Sequence, residues 1–471
     1  MRPLEVALLV ALAVAFAAVA APLPDRARHL RAAALLPIPV LVAQVLVEGA
    51  RWQLIPAYVL CGLLAAAWPA RAAGRLPAAR TAGALGVLAL AVAIALPAVV
   101  PVFGFPRPSG PHAIGTQTYH WVDPERPDVF TADPDDRREL VVQVWYPAED
   151  VPDAPRAPYV EDGDALAPLA RLMGLPGGAF GHFDQVRTNA VVGAPVARED
   201  ARYPVLLFSH GRGGYRQHNT AQVEELVSHG YVVAAIDHPH ASAGVVFPDG
   251  RQVPMDPRMY DRTFIDGVIP FLAQDVSTAL DRLAALDRSH DPLAGRLDLD
   301  HVGMFGVSLG GAVTGEACKI EPRVRACLPI DVFLPADVVE AGLRQPVMWI
   351  TRDEATMRRE GWSESDVVET HSTMRAVYER LTGPGYIVQV PGMWHVDFSD
   401  FPLFAPWLTT PLGLGGPLDP ERARTIPDTY ARAFFDRHLK GLPTPLLDGP
   451  SPDYPEVLFE SRALPAGPPV G

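Results

Sequence analysis

The stretch Asp300-His301-Val302-Gly303-Met304-Phe305-Gly306-Val307-Ser308-Leu309-Gly310-Gly311 decides how the chain folds. A short apolar run passes directly into a G-x-S-x-G pentapeptide and then into a segment of helical period, Leu309–Lys319. The pentapeptide alone is a weak signal in a chain with 39 glycines. At a strand-to-helix turn it acquires a mechanical meaning. Small residues at Gly306 and Gly310 let the backbone turn sharply, the serine between them is forced into a strained conformation, and its hydroxyl projects from the top of a sheet. The helix that follows offers unpaired N–H groups and the positive end of its dipole to a developing anion. Ser308 is therefore the candidate nucleophile, and an α/β sheet is its expected support.

Short apolar, β-branched runs recur on both sides of this stretch, at Leu140–Tyr146, Val205–Phe208, Tyr231–Ile236, Val302–Phe305, Ala326–Ile330, Val347–Thr351 and Tyr386–Val390. They lack polar alternation, which suits strands buried on both faces. Helix-period segments fall between or after them at Ala221–Ser228, Phe271–Leu286, Ser372–Leu381 and Pro427–Leu439. A largely parallel sheet flanked by helices follows.

An acyl-transferring serine needs a base and an orienting acid, which in such sheets follow it in the order Ser, Asp or Glu, His. Three histidines follow Ser308. His371 and His438 sit in helical patterns, whereas His395 lies in the loop after the last core strand and is the candidate base. Asp331 and Asp353 each end a strand, and order and period do not separate them; Arg352 gives Asp353 an alternative use as an ion-pair partner. The turn Ser209-His210-Gly211-Arg212-Gly213-Gly214 directs backbone N–H groups toward the serine, so the amides of Arg212 and Leu309 are the expected oxyanion donors, with His210 structural. His238-Pro239-His240 has no third ligand at metal-binding spacing, and Asp298-Leu299-Asp300 reads as a polar turn. No metal or cofactor is expected. Cys318 and Cys327 fall on a helix and the next buried strand and read as free thiols, with a disulfide as the alternative.

The first hundred residues have a different chemistry. Residues 1–107 hold nine arginines against Glu5, Asp25 and Glu48, a net of +6, whereas the whole chain of 471 residues carries −14. An acidic remainder of −20 argues against a nucleic-acid partner. Four apolar stretches, Val6–Leu23, Ala32–Val47, Leu54–Ala70 and Ala82–Phe103, approach the roughly 20 residues that span a bilayer. The expectation is a transmembrane region of about four helices over 1–104, a Pro/Gly linker at 105–112, a catalytic domain at 113–441 and a Pro-rich, irregular tail at 442–471. Arg26, Arg28, Arg31, Arg71, Arg75 and Arg80 crowd the first and third loops, which places these loops in the cytoplasm and the catalytic domain outside it. Cleavage of the first stretch as a signal peptide would leave three spans with the opposite sense.

The segments GTQTYHWVD, LVVQVWYPAE, VLLFSHGRGG, SHGYVVAAIDH, GVSLGG, ACLPIDV, QPVMWITRDE and GMWHVDFSDF, in this order from about Gly110 to Leu439, resemble the plasma-type (group VII) platelet-activating factor acetylhydrolases. That resemblance implies an α/β-hydrolase fold, a calcium-independent serine esterase, and a lipid-like ester substrate with a short or oxidised acyl chain. It also implies Ser308 as nucleophile, His395 as base, Arg212 and Leu309 as oxyanion donors, and Asp331 rather than Asp353 as the acid. The sequence departs from the family at Val307, where a histidine is frequent, and in its apolar N-terminal region. A broad carboxylesterase or polyester hydrolase, and a non-catalytic membrane protein using the fold for binding, are the rival readings.

Overall fold

Residues 1–20, 33–72, 80–404 and 413–462 are described in this computed structural model, and they separate into two units, Met1–Gly104 with Gly181–Val186, and Phe105–Phe180 with Arg187–Gly471. In the first unit the apolar stretches form helices α1 (Pro3–Ala20), α2 (Pro37–Glu48), α3 (Ile55–Ala72) and α4 (Arg80–Val99). Leu8, Leu12 and Ala15 of α1 pack against Ala57, Leu60 and Leu64 of α3 and Ala93 of α4. Arg51 and Glu5 are buried there as a two-pronged pair at 2.8 and 2.9 Å. The piece Gly181–Val186 contributes Phe183, edge-on to Phe103 at 5.3 Å, and Gln185, whose amide donates to the Ala50 carbonyl at 2.9 Å.

The four expected helices are present, but the expectation that each spans a bilayer is not supported. Among the described residues no helix is long and apolar enough to cross a membrane. The shortfall is plainest in α2, whose 12 residues rise only about 18 Å against a hydrocarbon core of about 30 Å. The loop arginines Arg26, Arg28, Arg31 and Arg75, on which the topology reading rested, lie outside the described residues.

In the second unit β1 (Ala113–Pro127) and β2 (Arg137–Ala148) form a long antiparallel hairpin, followed by the short strands β3 (Arg156–Pro158) and β4 (Arg187–Val192). The core then alternates strand and helix. It runs through β5 (Tyr203–Ser209), α5 (Thr220–Ser228), β6 (Val232–Asp237), the small hairpin β7 (Gly244–Val246) and β8 (Gln252–Pro254), and α6 (Arg262–Asp287). It continues through β9 (Leu297–Val307), α7 (Leu309–Ile320), β10 (Val324–Ile330), β11 (Val347–Thr351), α8 (Glu354–Glu360), α9 (Glu364–Arg380) and β12 (Gly385–Gln389). A long helix, Pro420–Leu439, and an edge strand, β13 (Leu458–Arg462), close the chain's described part.

Among the described residues the sheet has eleven strands, in the order β13-β12-β11-β10-β9-β5-β6-β2-β1-β4-β3. The six central ones, from β12 to β6, are mutually parallel. Their uninterrupted apolar character has a direct cause: along β5, Val205 and Leu207 pack under α6 and α7, while Leu206 and Phe208 pack under α5 and the Pro420–Leu439 helix. A sheet covered on both faces leaves its strand ends as the place for polar chemistry.

Two expectations need correction. The tail after Gly441 is not wholly irregular, because β13 pairs antiparallel with β12 through Arg462↔Gly385 to Leu458↔Gln389. Cys318 and Cys327, read as free thiols, form a disulfide that ties the end of α7 to β10. The short turn between helix and strand brings their Cα atoms to 6.5 Å, inside the range that a disulfide bridges.

Candidate active site

Strands β5, β9, β10 and β11 lie side by side, and the residues that follow them gather the candidate groups. Ser308 sits between β9 and α7 with φ 57° and ψ −124°, a left-handed backbone that a non-glycine residue adopts only under strain. The turn is locked from both sides. The Ser308 N–H donates to the Ile330 carbonyl at 2.9 Å, and its own carbonyl accepts from Gly311 and Ala312. A Cβ at Gly310 would collide with the Ser209 carbonyl oxygen, and one at Gly306 with that of Gly310. This crowding is the physical content of the two glycines in the pentapeptide.

Asp331 follows β10 in the same way, at φ 48°. Its Oδ2 accepts from His395 Nδ1 at 2.5 Å, which leaves His395 Nε2 as the ring's acceptor. Oδ1 accepts from the Thr351 hydroxyl at 2.9 Å, the Arg352 amide at 3.2 Å and Arg352 Nε at 3.0 Å. Arg352 Nη2 adds an ion pair to Oδ2 at 2.8 Å. Burial pushes the Asp331 carboxyl up, but Arg352 and His395 more than offset it and hold the group well below the usual carboxylate range.

Asp353 lies elsewhere. It starts α8, accepts from the Thr356 hydroxyl, and lines a separate cavity with Glu354, His371 and Gln389. The acid beside His395 is Asp331.

Arg352 also pairs with Glu360 and lies over the Trp362 ring at 4.4 Å. Glu360 accepts from the His395 backbone N–H at 3.2 Å, and Trp362 meets the His395 ring edge-on at 5.1 Å. The end of α8 thus holds His395 by its backbone through Glu360 and by its ring through Trp362. This support was not visible in the sequence, where Arg352 read only as a partner for Asp353.

Ser308, His395 and Asp331 share a cavity of about 430 Å³ with Arg212, Tyr260, Leu309, Phe333 and Trp362. Among the described residues no hydrogen bond joins Ser308 Oγ to His395; such contacts commonly tighten only when substrate binds. Gly211 faces the serine, since a Cβ there would lie 3.3 Å from Ser308 Cβ. Among the described residues the amides of Arg212 and Leu309 donate to no carbonyl outside the helices and strands, and Leu309, as the first residue of α7, has no carbonyl within its helix to serve.

His210 is fully buried, and burial holds its ring well below the usual histidine range. Its Nδ1 donates to the Gly211 carbonyl at 2.7 Å and its Nε2 meets the Ser242 hydroxyl at 2.7 Å. Of the other histidines, His371 meets Gln389 and His438 meets Tyr386. His238 is held by Ser209 and Asp275, and His240 stacks on Phe130. Asp298 accepts from the Asp300 amide and meets His301. Among the described residues no group of three or more His, Cys, Asp or Glu side chains could hold a metal ion.

Residues 98–255 match the family described as platelet-activating factor acetylhydrolase, isoform II. That match includes Arg212 and ends before Ser308. The platelet-activating factor acetylhydrolase of Bos taurus is 24% identical over 329 residues, covering 63% of this chain and 71% of its own. A protein of Arthroderma benhamiae named "Probable 1-alkyl-2-acetylglycerophosphocholine esterase" is 27% identical over 406 residues, covering 79% of this chain and 97% of its own. Among solved structures, a ferulic acid esterase from Streptomyces cinnamoneus is 31% identical with a TM-score of 0.62, over 76% of this chain and 99% of that one.

Proposed function

We infer that this chain, a serine ester hydrolase, works through an acyl-enzyme on Ser308, with His395 as general base and acid and Asp331 orienting the imidazole. The Ser308 hydroxyl attacks the ester carbonyl while His395 Nε2 takes its proton, and the same proton is returned to the departing alkoxide. Water then repeats the sequence on the acyl-enzyme. The amides of Arg212 and Leu309 hold the oxyanion in each half; a donor of this kind contributes about 3 kcal/mol to the transition state. The observation that carries the reading is the 2.5 Å contact of Asp331 with His395 in the cavity that Ser308 lines.

The substrate proposed is a phospholipid-like ester with a short or oxidised acyl chain, supported by the names of the bovine and fungal relatives. A broad carboxylesterase is the second reading, favoured by the similarity to the Streptomyces ferulic acid esterase. Turnover of an acetylated glycerophospholipid, a p-nitrophenyl ester and a feruloyl ester by one preparation ranks the two. For the mechanism, Ser308→Ala should abolish turnover and labelling by a fluorophosphonate with the fold intact. Turnover within about tenfold of the parent, or 1.4 kcal/mol of barrier, would refute the role of Ser308.

The N-terminal unit is proposed to associate with a bilayer, the catalytic unit lying outside the cytoplasm. Two features support this. Large apolar side chains, including Val10, Val14, Leu46, Val59, Leu63, Leu85 and Leu88, stand exposed on all four helices of the unit, and the Cys318–Cys327 disulfide belongs to an oxidising compartment. Carbonate-resistant membrane association and digestion by protease added to intact spheroplasts are the expected results. Release by carbonate would remove the anchor, and protection from protease would reverse the orientation.

A further inference from the structure

Beneath the candidate oxyanion turn lies a second hydroxyl–imidazole–carboxylate chain. The Ser209 hydroxyl meets His238 Nε2 at 2.8 Å, and His238 Nδ1 meets Asp275 Oδ2 at 2.8 Å. All three residues are buried: Ser209 and Asp275 are 0% exposed and His238 is 1%. The chain therefore has the connectivity of a triad without access for any substrate, and it does not act as one. A carboxylate only accepts, so His238 Nδ1 carries the proton and its Nε2 accepts from Ser209. The hydroxyl hydrogen of Ser209 is fixed by that contact.

Each member touches the machinery above it. Ser209 is the last residue of β5 and pairs in register with Gly306 of the serine turn, and its carbonyl is the atom that excludes a side chain from Gly310. The loop that begins with His238 carries the oxyanion turn on the Ser242–His210 contact at 2.7 Å and on three backbone donors. The His238 N–H donates to His210 Nε2 at 3.3 Å, the Gly213 N–H donates to the Ala241 carbonyl at 2.9 Å, and the Ala243 N–H donates to the Gly214 carbonyl at 2.8 Å. Asp275, in the middle of α6, anchors the far end. It takes Arg138 Nε and Nη2 at 3.0 and 2.7 Å and Arg126 at 2.8 Å, while Arg138 also donates to the Pro239 carbonyl at 3.2 Å.

We propose that Asp275, His238 and Ser209 are positioning residues that transmit the placement of α6 to the Arg212 amide and so set the geometry of the oxyanion site. The chain touches no reacting atom. It fixes the loop 238–243 and the end of β5, between which the turn 210–214 is held. A misplacement of a donor by about 1 Å costs up to about 10² in rate, and the loss falls on the transition state, where the oxyanion exists, rather than on the ester carbonyl of the ground state.

This inference rests on the Ser308 reading, and the test separates the two. Ser209→Ala removes one hydroxyl, and His238→Gln breaks the chain at its centre; Asp275 is left intact because its loss would strand the buried Arg138 and take an ion-pair partner from the half-buried Arg126. In full-length protein, active sites are first counted by fluorophosphonate labelling at Ser308, so that misfolded molecules are excluded. Per labelled site, kcat on a p-nitrophenyl ester should fall by about 10- to 100-fold with KM within about twofold. The affinity of a trifluoromethyl ketone, which forms an oxyanion on the serine, should fall by the same factor as kcat/KM. A purely structural role predicts fewer labelled sites with unchanged kcat in each. If kcat per labelled site stays within about twofold in both variants, or falls with the ketone bound as tightly as before, the proposal is overturned. Absence of labelling at Ser308 in the parent protein would overturn the Ser308 reading first and this one with it.

Discussion

Replacing Asp331 by asparagine tests the candidate site at its most constrained atom. Five contacts converge on this carboxylate, and all come from donors: three reach Oδ1 and two reach Oδ2. An amide must place its NH₂ at one of the two positions, and Oδ2, with fewer donors, conflicts less. There the NH₂ faces His395 Nδ1 and donates to it, so the ring proton moves to Nε2 and points at Ser308. The base is then in the wrong tautomer. The expected loss is about 10⁴ in kcat, or roughly 5.4 kcal/mol of barrier. Stability should fall by less than the roughly 3–5 kcal/mol of a fully broken buried pair, because Arg352 keeps Glu360. Asp353→Asn is the control: among the described residues its carboxylate receives only the Thr356 hydroxyl at the head of α8, so kcat should stay within about threefold and stability within about 1 kcal/mol. The assay is kcat at saturating p-nitrophenyl acetate, with thermal melts to verify folding. A folded Asp331→Asn protein within about tenfold of the parent in kcat, together with a dead Asp353→Asn protein, would refute the assignment.

Three other outcomes follow from the same contacts. Arg352→Met removes the cation that helps to hold the Asp331 carboxyl below its ordinary range; a carboxyl depressed in the fold contributes stability that is lost only as pH falls through its folded value, so the variant should acid-unfold at higher pH, and an unmoved midpoint by circular dichroism would count against the pairing. Glu224 is buried, and burial raises its carboxyl to about 7 despite hydrogen bonds from Asn189 and Ala190; a raised acid loses stability as pH rises from its unfolded value to its folded one, so melts should decline by up to about 3 kcal/mol between pH 4.5 and 7, and Glu224→Gln should flatten that decline. The Cys318–Cys327 bridge closes a loop with a separation of 9 residues, a loop-entropy effect of about 2–3 kcal/mol; a reductant should lower the melting temperature, and three titratable thiols in the denatured, unreduced protein, instead of Cys61 alone, would contradict the bridge.

The strands most visible in the sequence were those buried on both faces, because an apolar run such as Val205–Phe208 leaves no second interpretation. β1 escaped notice: its GTQTYHWVDPERP carries prolines and polar residues, since it lies toward the sheet's margin and buries only part of its surface. β13 escaped for a similar reason, its LFESR mostly exposed on the outer edge. Asp331 and Asp353 were indistinguishable by order because β10 and β11 are neighbours and each ends in an acid. What separates them is backbone conformation, with φ 48° at Asp331 and φ −75° at Asp353, where a helix begins. Supports such as Glu360, His238 and Asp275 have no local signature at all, since each is defined by partners far away in the chain.

The backbone of the serine turn also constrains how this chain can change over generations. Ser308 and Asp331 both hold positive φ angles, at 57° and 48°, conformations that cost on the order of 1–3 kcal/mol each for a residue with a side chain. Glycine would relieve that cost at either place. Ser308→Gly therefore stands to be more robust to heat than the parent while unable to form an acyl-enzyme. At Asp331 the relief is outweighed by the buried Arg352 pair, so in a library sorted on thermal survival alone Ser308, the candidate nucleophile, would drift before Asp331.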